Sequence, residues 1–345
     1  MKLLESKVAI VTGGSRGIGK AICQSFAENG CDVAFTYNNS KESAENLATE
    51  LNKLGVKVVG VRDKYDILLS FISDYGYAKN NICSEAKLVL RLDGIWFNSI
   101  QDWKNMNKPI VDTYGRSDGV IFQSEFNKKL TFEYFGVKNN CCVINNGDVF
   151  DVVGEKNIRS SGKTFCCCSD WRPHKRLGDI IEFYIKASDG CSKLIVIGDV
   201  SNCGFDINQY SGRDDIVMCG KQNKDFITNV YRGSDFMVHL AWLDHCPNVV
   251  VEAIANCCPV ICTNSGGTKE LVNDFGVVYN DFVWDFKPHN LYNPPTLNID
   301  SMVEKFLNVD CKSRFDNNMA YNKLNISSVA NKYVNFFKKT IDDGE

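Results

Sequence analysis

The sequence predicts an α/β protein made of two parallel-sheet lobes facing across a cleft. Three observations carry that prediction. Apolar strand-like runs alternate with amphipathic helical stretches nearly end to end, a glycine-rich turn joins the first strand to the first helix, and the alternation stops once near the middle before resuming. At 345 residues the chain is long enough for two domains, each with its own core.

The first series opens with a strand over residues 8–11, a helix over 18–29, a strand over 33–37 and a polar helix over 41–54. Further strands are read at 56–61, 67–70, 88–92, 119–123 and 143–145. Residues 151–162 are polar and without period, which suits a linker. The second series runs strand 165–168, helix 177–187, strand 194–197, strand 216–219, helix 226–231 and strand 236–240. It continues with helix 249–256, strand 260–263 and a short helix at 269–272. The stretch "NLYNPPTLN" (290–298) breaks the pattern. A closing helix, 328–341, carries Val329, Tyr333, Phe336 and Phe337 at helical spacing and is expected to return to the first lobe. The expected division is therefore a Rossmann-like first lobe (1–152, in halves 1–62 and 63–152), a second lobe (153–325) and a terminal helix (326–345).

Composition narrows the function classes. A net charge of −3 and a pI near 5.9 offer no footprint for nucleic acid. No apolar run reaches bilayer length, so no transmembrane segment is expected, and "MKLLESK" lacks the apolar core of a signal peptide. Many of the 16 cysteines sit inside predicted strands or helices, as in "TFCCCSD" and "ANCCPVICT", and none forms a C-x-x-C pair. They read as small buried hydrophobes in a reducing compartment. The expected location is the cytoplasm, free or peripheral at a membrane surface.

"TGGSRGIG" places Gly13, Gly17 and Gly19 where a chain turning from strand to helix needs them, letting backbone N–H groups approach a phosphate at a helix tip. Residues 1–62 resemble the opening of the short-chain dehydrogenase/reductase family. Arg16 before Gly17, and "TYNNSKE" with no Asp after the second strand, resemble its NADP-preferring members. The family's hydride chemistry needs a Tyr-x-x-x-Lys pair. "YGYAK" (Tyr75 to Lys79) arrives only 56 residues after Gly19, too early for that role, and the family's N-N-A-G segment is absent. The turn therefore reads as a vestigial dinucleotide loop, serving as scaffold or touching another phosphorylated ligand.

A more specific signal begins at Asp235: "DFMVHLAWLDHCPNVVVEAIANCCPVICTNSGGTKELV". It reads as a strand, a loop, a helix starting near Pro247 and Asn248 with Asn as cap, a strand and a Gly-Gly turn. The N–H groups of Asn248 and Val249 would form an anion site at the helix tip. Glu252, one turn in, suits ribose hydroxyls, and Asp244 on the loop suits a sugar hydroxyl. Gly266 and Gly267 leave room for a ligand against the backbone. His239, His245 and Cys246 read as packing or loop residues, since no metal-binding cluster accompanies them.

This stretch resembles glycosyltransferase family 4 of the GT-B fold, whose Glu-x7-Glu motif appears here as Asp244 and Glu252. Upstream, "CCCSDWRPHKRLGDIIEFY" is similar to the family's diphosphate-binding element. Arg172 and Lys175 stand in the cationic positions, with Arg176 as a possible substitute. Gly220, in "CGKQ", stands where the family's loop edges the base. "KLVLRLDGIWF", "SDGVIFQSEFNKKLTFEYFGV" and "VINNGDVFD" resemble parts of its first lobe, so the likeness spans roughly residues 65–280.

The resemblance implies a retaining glycosyltransferase using a nucleoside-diphosphate sugar, with no cofactor and no metal, and a glycan, protein or lipid acceptor. Arg172 and Lys175 would hold the diphosphate, Glu252 the ribose and Asp244 the transferred sugar. Asp93, in "RLDG", is either an acceptor-side residue or a turn former before Gly94. Two other readings stand: an NADP(H)-dependent reductase and a nucleotide-binding remnant without turnover.

Overall fold

The structure, a computed structural model, describes residues 2–59, 64–74, 86–150, 162–272, 275–308 and 317–342. It contains two six-stranded sheets with every strand pairing parallel, so the α/β class and the two parallel sheets are as the sequence predicts. Each sheet belongs to a separate compact unit. The first comprises residues 1–97, 101–148 and 323–345, the second 98–100 and 149–322.

The first unit is built from β1 (Val8–Val11), α1 (Gly17–Glu28), β2 (Asp32–Phe35), α2 (Lys41–Lys53), β3 (Ile67–Phe71) and β4 (Lys87–Leu92). Then come α3 (Trp103–Arg116), β5 (Gly119–Phe122), α4 (Glu125–Phe135) and β6 (Cys141–Val143). The sheet order is β2-β1-β3-β4-β5-β6. Buried strands such as β3 (ILLSF) and β5 (GVIF) are apolar runs rather than alternations, because helices cover both faces of a parallel sheet. The strand expected at 56–61 is reduced, within the described residues, to one bridge between Val58 and Val33. Residues 60 and 61 lie outside the described residues, as do 151–161 of the expected linker and the Tyr75–Lys79 pair.

α3 and α4 escape a periodicity search for a local reason. Pro109 interrupts α3, and two of its four buried residues, Asn107 and Thr113, are polar. Their starts are still chemically marked: Asp102 accepts from the Asn105 N–H and Ser124 from the Asn127 N–H. The chain closes with α11 (Ile326–Asp342), whose Val329, Tyr333 and Phe337 lie at i, i+4 and i+8 on one buried face. That face packs on α1, with the Phe26 and Phe337 rings 4.9 Å apart.

The second unit contains β7 (Thr164–Cys168), α5 (Leu177–Ala187), β8 (Lys193–Ile197), β9 (Ile216–Met218), α6 (Lys224–Gly233) and β10 (Phe236–His239). It continues through α7 (Asn248–Ala255), β11 (Val260–Thr263), α8 (Thr268–Val272), β12 (Gly276–Tyr279) and α9 (Ile299–Leu307); α10 (Asn317–Leu324) crosses the boundary between the units. The order is β12-β11-β10-β7-β8-β9. Cys166, Cys167, Cys258 and Cys262 are fully buried and act as compact apolar residues, and all the described cysteines are free thiols. α9 follows the Pro-rich break and is absent from the helices expected above; it is capped by Asn298 and packs Phe306 against Phe183 at 5.5 Å.

Sheet order in the second unit positions the site. β7 has β8 on one side and β10 on the other, so the loops leaving β7 and β10 diverge at a topological switch point. The two strands are in register only at Phe165–Phe236 and Cys166–Met237, and stop pairing before their carboxyl ends. A crevice at that edge follows from the connectivity.

Candidate diphosphate site at the carboxyl edge of the second unit

The loop after β7 is shaped by its own backbone. The Trp171 indole N–H donates to the Ile197 carbonyl at 2.9 Å and anchors the loop start. Pro173–Lys175 then form one 3₁₀ turn, closed by the Lys175 N–H donating to the Arg172 carbonyl at 2.8 Å. Arg176 takes a left-handed conformation (φ 55°) and reverses the chain into α5. This geometry gives three neighbouring cations three different fates.

Lys175 reaches the loop after β10, where its Nζ lies 2.5 Å from Asp244 Oδ2; the two side chains are 18% and 16% exposed. Arg172 is exposed, and its guanidinium has no ion pair or hydrogen bond among the described residues. Arg176 is buried. Its fork is occupied by Asp281 at 2.6 Å and the Pro295 carbonyl at 2.6 Å. Arg176 therefore cannot substitute for Arg172 or Lys175 at a phosphate; its role is to tie loops together.

Asp244 is fixed from several directions. Its carbonyl accepts the Gly267 N–H at 2.7 Å. Gly266 (φ 70°) lies so close that a Cβ there would come within 2.4 Å of the same carbonyl oxygen. At Gly266 the Gly-Gly turn therefore makes room for the Asp244 peptide. His239, buried at the end of β10, places Nε2 3.5 Å from Asp244 Oδ2. Burial works against the Asp244 charge, but Lys175 and His239 outweigh it and hold the carboxyl well below the usual range. Burial lowers His239 and also its neighbour His174, the latter to about 3.

The helix tip differs from the sequence reading by one residue. Pro247 occupies the cap position (φ −68°, ψ 121°) with no side-chain cap, and Asn248 is the first helical residue. Proline's fixed φ suits that extended position, so Asn248 is not the cap. The Val250 and Val251 N–H groups donate back to Pro247, while the Val249 N–H has no acceptor among the described residues. Glu252, half-buried one turn further on, carries its charge close to Cys168 at the carboxyl end of β7. Burial is the main cause of the Cys168 thiol rising to about 12, and Glu252 adds to it. Lys175, Asp244, the α7 tip and Glu252 thus gather around the ends of β7 and β10.

Gly220 (φ 62°) borders a separate pocket of about 390 Å³ on the same edge, lined among others by Val196, Asp199, Met218 and Lys221. In the first unit, Asp93 at the end of β4 is held rather than loose. It pairs with the buried Arg91 and accepts from Gln123 Nε2 at 2.6 Å, while Arg91 also donates to the Tyr333 hydroxyl at 2.8 Å. At the glycine-rich turn Gly13 and Gly17 have φ of 66° and 53°, and a Cβ at Gly19 would lie 2.4 Å from the Gly13 carbonyl oxygen. Arg16 precedes α1, exposed and without a side-chain bond among the described residues.

The sequence reading of His239 as a packing or loop residue gives no sign of its proximity to Asp244, which depends on the loop between them. His174 carries no sequence signal of its own. Among the described residues no three His, Cys, Asp or Glu side chains are grouped to hold a metal ion, and no helix is long and apolar enough to cross a membrane.

Residues 151–291 match the family model for glycosyl transferases group 1. The glycosyl transferases group 1 segment includes the switch point, both loops and α7. Residues 7–67 match the short chain dehydrogenase model instead. They are 48% identical over 59 residues to a short-chain dehydrogenase/reductase of Pestalotiopsis microspora, covering 17% of this chain and 22% of that protein. They are 42% identical over 62 residues to an L-rhamnose 1-dehydrogenase (NAD(P)(+)) of Sphingomonas, covering 18% and 24%. The chain thus spans less than a quarter of these curated relatives.

Nearly the whole chain is similar in fold to solved glycosyltransferases of the GT-B class. Anabaena Alr3699/HepE in complex with UDP and glucose aligns with a TM-score of 0.67 at 14% identity, covering 96% of this chain and all of that one. Sucrose-phosphate synthase from Thermosynechococcus elongatus aligns with a TM-score of 0.67 at 11% identity, covering 98% and 100%. The dehydrogenase-like residues therefore form the opening half of the first lobe of a GT-B fold, and the glycosyl transferases group 1 segment forms most of the second.

Proposed function

We propose that this protein is a retaining glycosyltransferase, similar to family 4, that moves a sugar from a nucleoside-diphosphate donor to an acceptor hydroxyl. The observation that carries the reading is the meeting of Lys175 and Asp244 beside the α7 tip, at the switch point of the segment that matches glycosyl transferases group 1. Arg172, Lys175 and the N–H groups of Asn248 and Val249 stabilise the charge that builds on the departing diphosphate. Glu252 accepts from the donor ribose, and the remaining oxygen of Asp244 accepts from a hydroxyl of the transferred sugar. Gly220 borders the base.

The sugar C1–phosphate bond breaks and a bond to the acceptor oxygen forms on the same face. The acceptor proton passes to the leaving phosphate oxygen. This chemistry needs no metal and no redox cofactor. Asp93, held by Arg91 and Gln123 with a second oxygen available, is assigned to the acceptor side. The free, buried cysteines support a reducing, cytoplasmic setting.

The match of residues 7–67 to the short chain dehydrogenase model supports a second reading, in which the glycine turn binds NADP(H). A thermal-shift panel of UDP, GDP, ADP and NADPH separates the two, since ligand at a hundred times Kd adds about 2.7 kcal/mol of stability. Stabilisation by a nucleoside diphosphate that is lost in Glu252→Ala, together with release of sugar from a labelled donor with its anomeric configuration retained, is the expected result. Stabilisation by NADPH alone overturns it.

A further inference from the structure

We infer that Asp244 is the positioning residue of Lys175: it holds the ammonium ready for the donor diphosphate. The inference rests on the proposed reading of the site and refines the role of one carboxylate within it. Lysine carries its charge on a four-carbon stem with much rotamer freedom, so a lysine that must meet a phosphate benefits from being ordered beforehand. Here the main chain of the ordering group is itself held by the Gly-Gly turn, with an imidazole beside the carboxylate. The Asp244 carbonyl is bound by the Gly267 N–H, its peptide is packed against Gly266 at a distance that admits no Cβ, and His239 lies behind its carboxylate.

The loop that carries Lys175 is joined to the loop that carries Asp244 by a second bond, the Trp242 N–H donating to the His174 carbonyl at 2.8 Å. The two main chains are thus locked before the side chains meet. The same arrangement limits what Asp244 can do for the sugar. Oδ2 is engaged by Lys175, which leaves only Oδ1 for a hydroxyl.

The positioning role predicts an effect opposite in sign to simple electrostatics. Asp244→Asn removes a negative charge from beside an anion site, so charge alone predicts tighter binding. Positioning predicts weaker binding, because the ammonium is set free. The test is calorimetric titration of the full chain with UDP, GDP and inorganic pyrophosphate. The expected result is about tenfold weaker binding by Asp244→Asn of whichever probe the wild type takes.

The same substitution made in a Lys175→Met background is expected to have no further effect, since its action runs through Lys175. If Lys175→Met does not fold, Lys175→Gln, which keeps a hydrogen bond to the carboxylate, is the reference. Unchanged or tighter binding in Asp244→Asn, or an equal loss with and without Lys175, overturns the inference and leaves the diphosphate site standing. A wild type that binds none of the three probes removes the site, and the inference with it.

Discussion

Arg176 and Asp281 form an ion pair at 2.6 Å with each side chain 1% exposed, although 105 residues separate them in the chain. The guanidinium also donates to the Pro295 carbonyl at 2.6 Å, so a single side chain links the loop after β7 to the segments that follow β12. Removing one partner of such a pair leaves a buried charge without compensation, which costs about 3–5 kcal/mol. Arg176→Ala is therefore expected to destabilise the protein by that amount in urea unfolding, with reduced binding as a secondary consequence. Arg172→Ala removes an exposed side chain without an ion pair among the described residues and should stay within about 0.5 kcal/mol of wild type, losing diphosphate affinity alone. Equal stability losses in the two variants would contradict this division of labour.

His174 makes stability depend on pH. Its ring is stacked on Tyr292 at 5.8 Å, and burial, followed by the Lys175 charge, pushes its pKa down to about 3. In the unfolded chain the imidazole titrates near 6.5. The unfolded state therefore takes up the proton first, and stability is lost as pH falls from about 6.5 toward 3. The loss should reach roughly 2 kcal/mol at pH 5, at 1.36 kcal/mol per unit. His174→Phe keeps an aromatic ring on Tyr292 and removes the proton. Urea unfolding of both proteins at pH 7.5, 6 and 5 checks it: the wild type should lose ground to the variant across the series. A difference that stays constant would mean that His174 is hydrated.

Two glycines at the site should respond differently to the same change. Gly266→Ala adds both a left-handed alanine and a methyl within 2.4 Å of the Asp244 carbonyl oxygen, where backbone cannot yield cheaply. Gly220→Ala adds only the left-handed strain, because nothing lies within 4 Å of its Cβ position. The expected cost is about 1–2 kcal/mol at Gly220 and more at Gly266. Only the Gly266 change should displace Asp244, which nucleotide titration would detect as weaker diphosphate binding. A Gly220→Ala variant that loses as much stability as Gly266→Ala would show that the room around Gly220 is not there.

What could be read from the sequence divides along physical lines. Buried parallel strands declare themselves as short apolar runs, so β1, β7 and β11 are visible at once. α1 and α11 are visible because one face of each is apolar at helical spacing. α3 is not, because Pro109 and buried Asn107 and Thr113 hide its period. The ordered loop residues around Lys175 and Glu252 could be placed on the carboxyl edge by their position after strands. The partnerships could not. Nothing local in "RPHKR" says that Lys175 meets Asp244 while Arg176 turns inward to Asp281, since both depend on strand order and on a left-handed residue at Arg176. The Gly-Gly turn was visible as a place of close approach, but which atoms approach is decided by tertiary packing.

The glycine-rich opening supplies the last prediction. Gly19 packs so that a methyl there would lie 2.4 Å from the Gly13 carbonyl oxygen and 3.1 Å from Gly14 Cα, all backbone, in a turn pinned to β2 by the Gly14 N–H donating to the Thr36 carbonyl at 3.0 Å. If the turn is scaffold, its glycines matter for packing and its exposed arginine does not. Gly19→Ala should then lose about 1–3 kcal/mol, and Arg16→Ala almost nothing, with UDP and GDP titrations of both unchanged below their melting temperatures. A dinucleotide loop gives the reverse pattern for Arg16. Its guanidinium would face a ribose phosphate, NADPH would raise the wild-type melting temperature, and Arg16→Ala would abolish that rise. Melting curves of the two variants with and without NADPH therefore decide whether residues 7–67 kept the ligand of the proteins they are similar to, or only their way of turning from a strand into a helix.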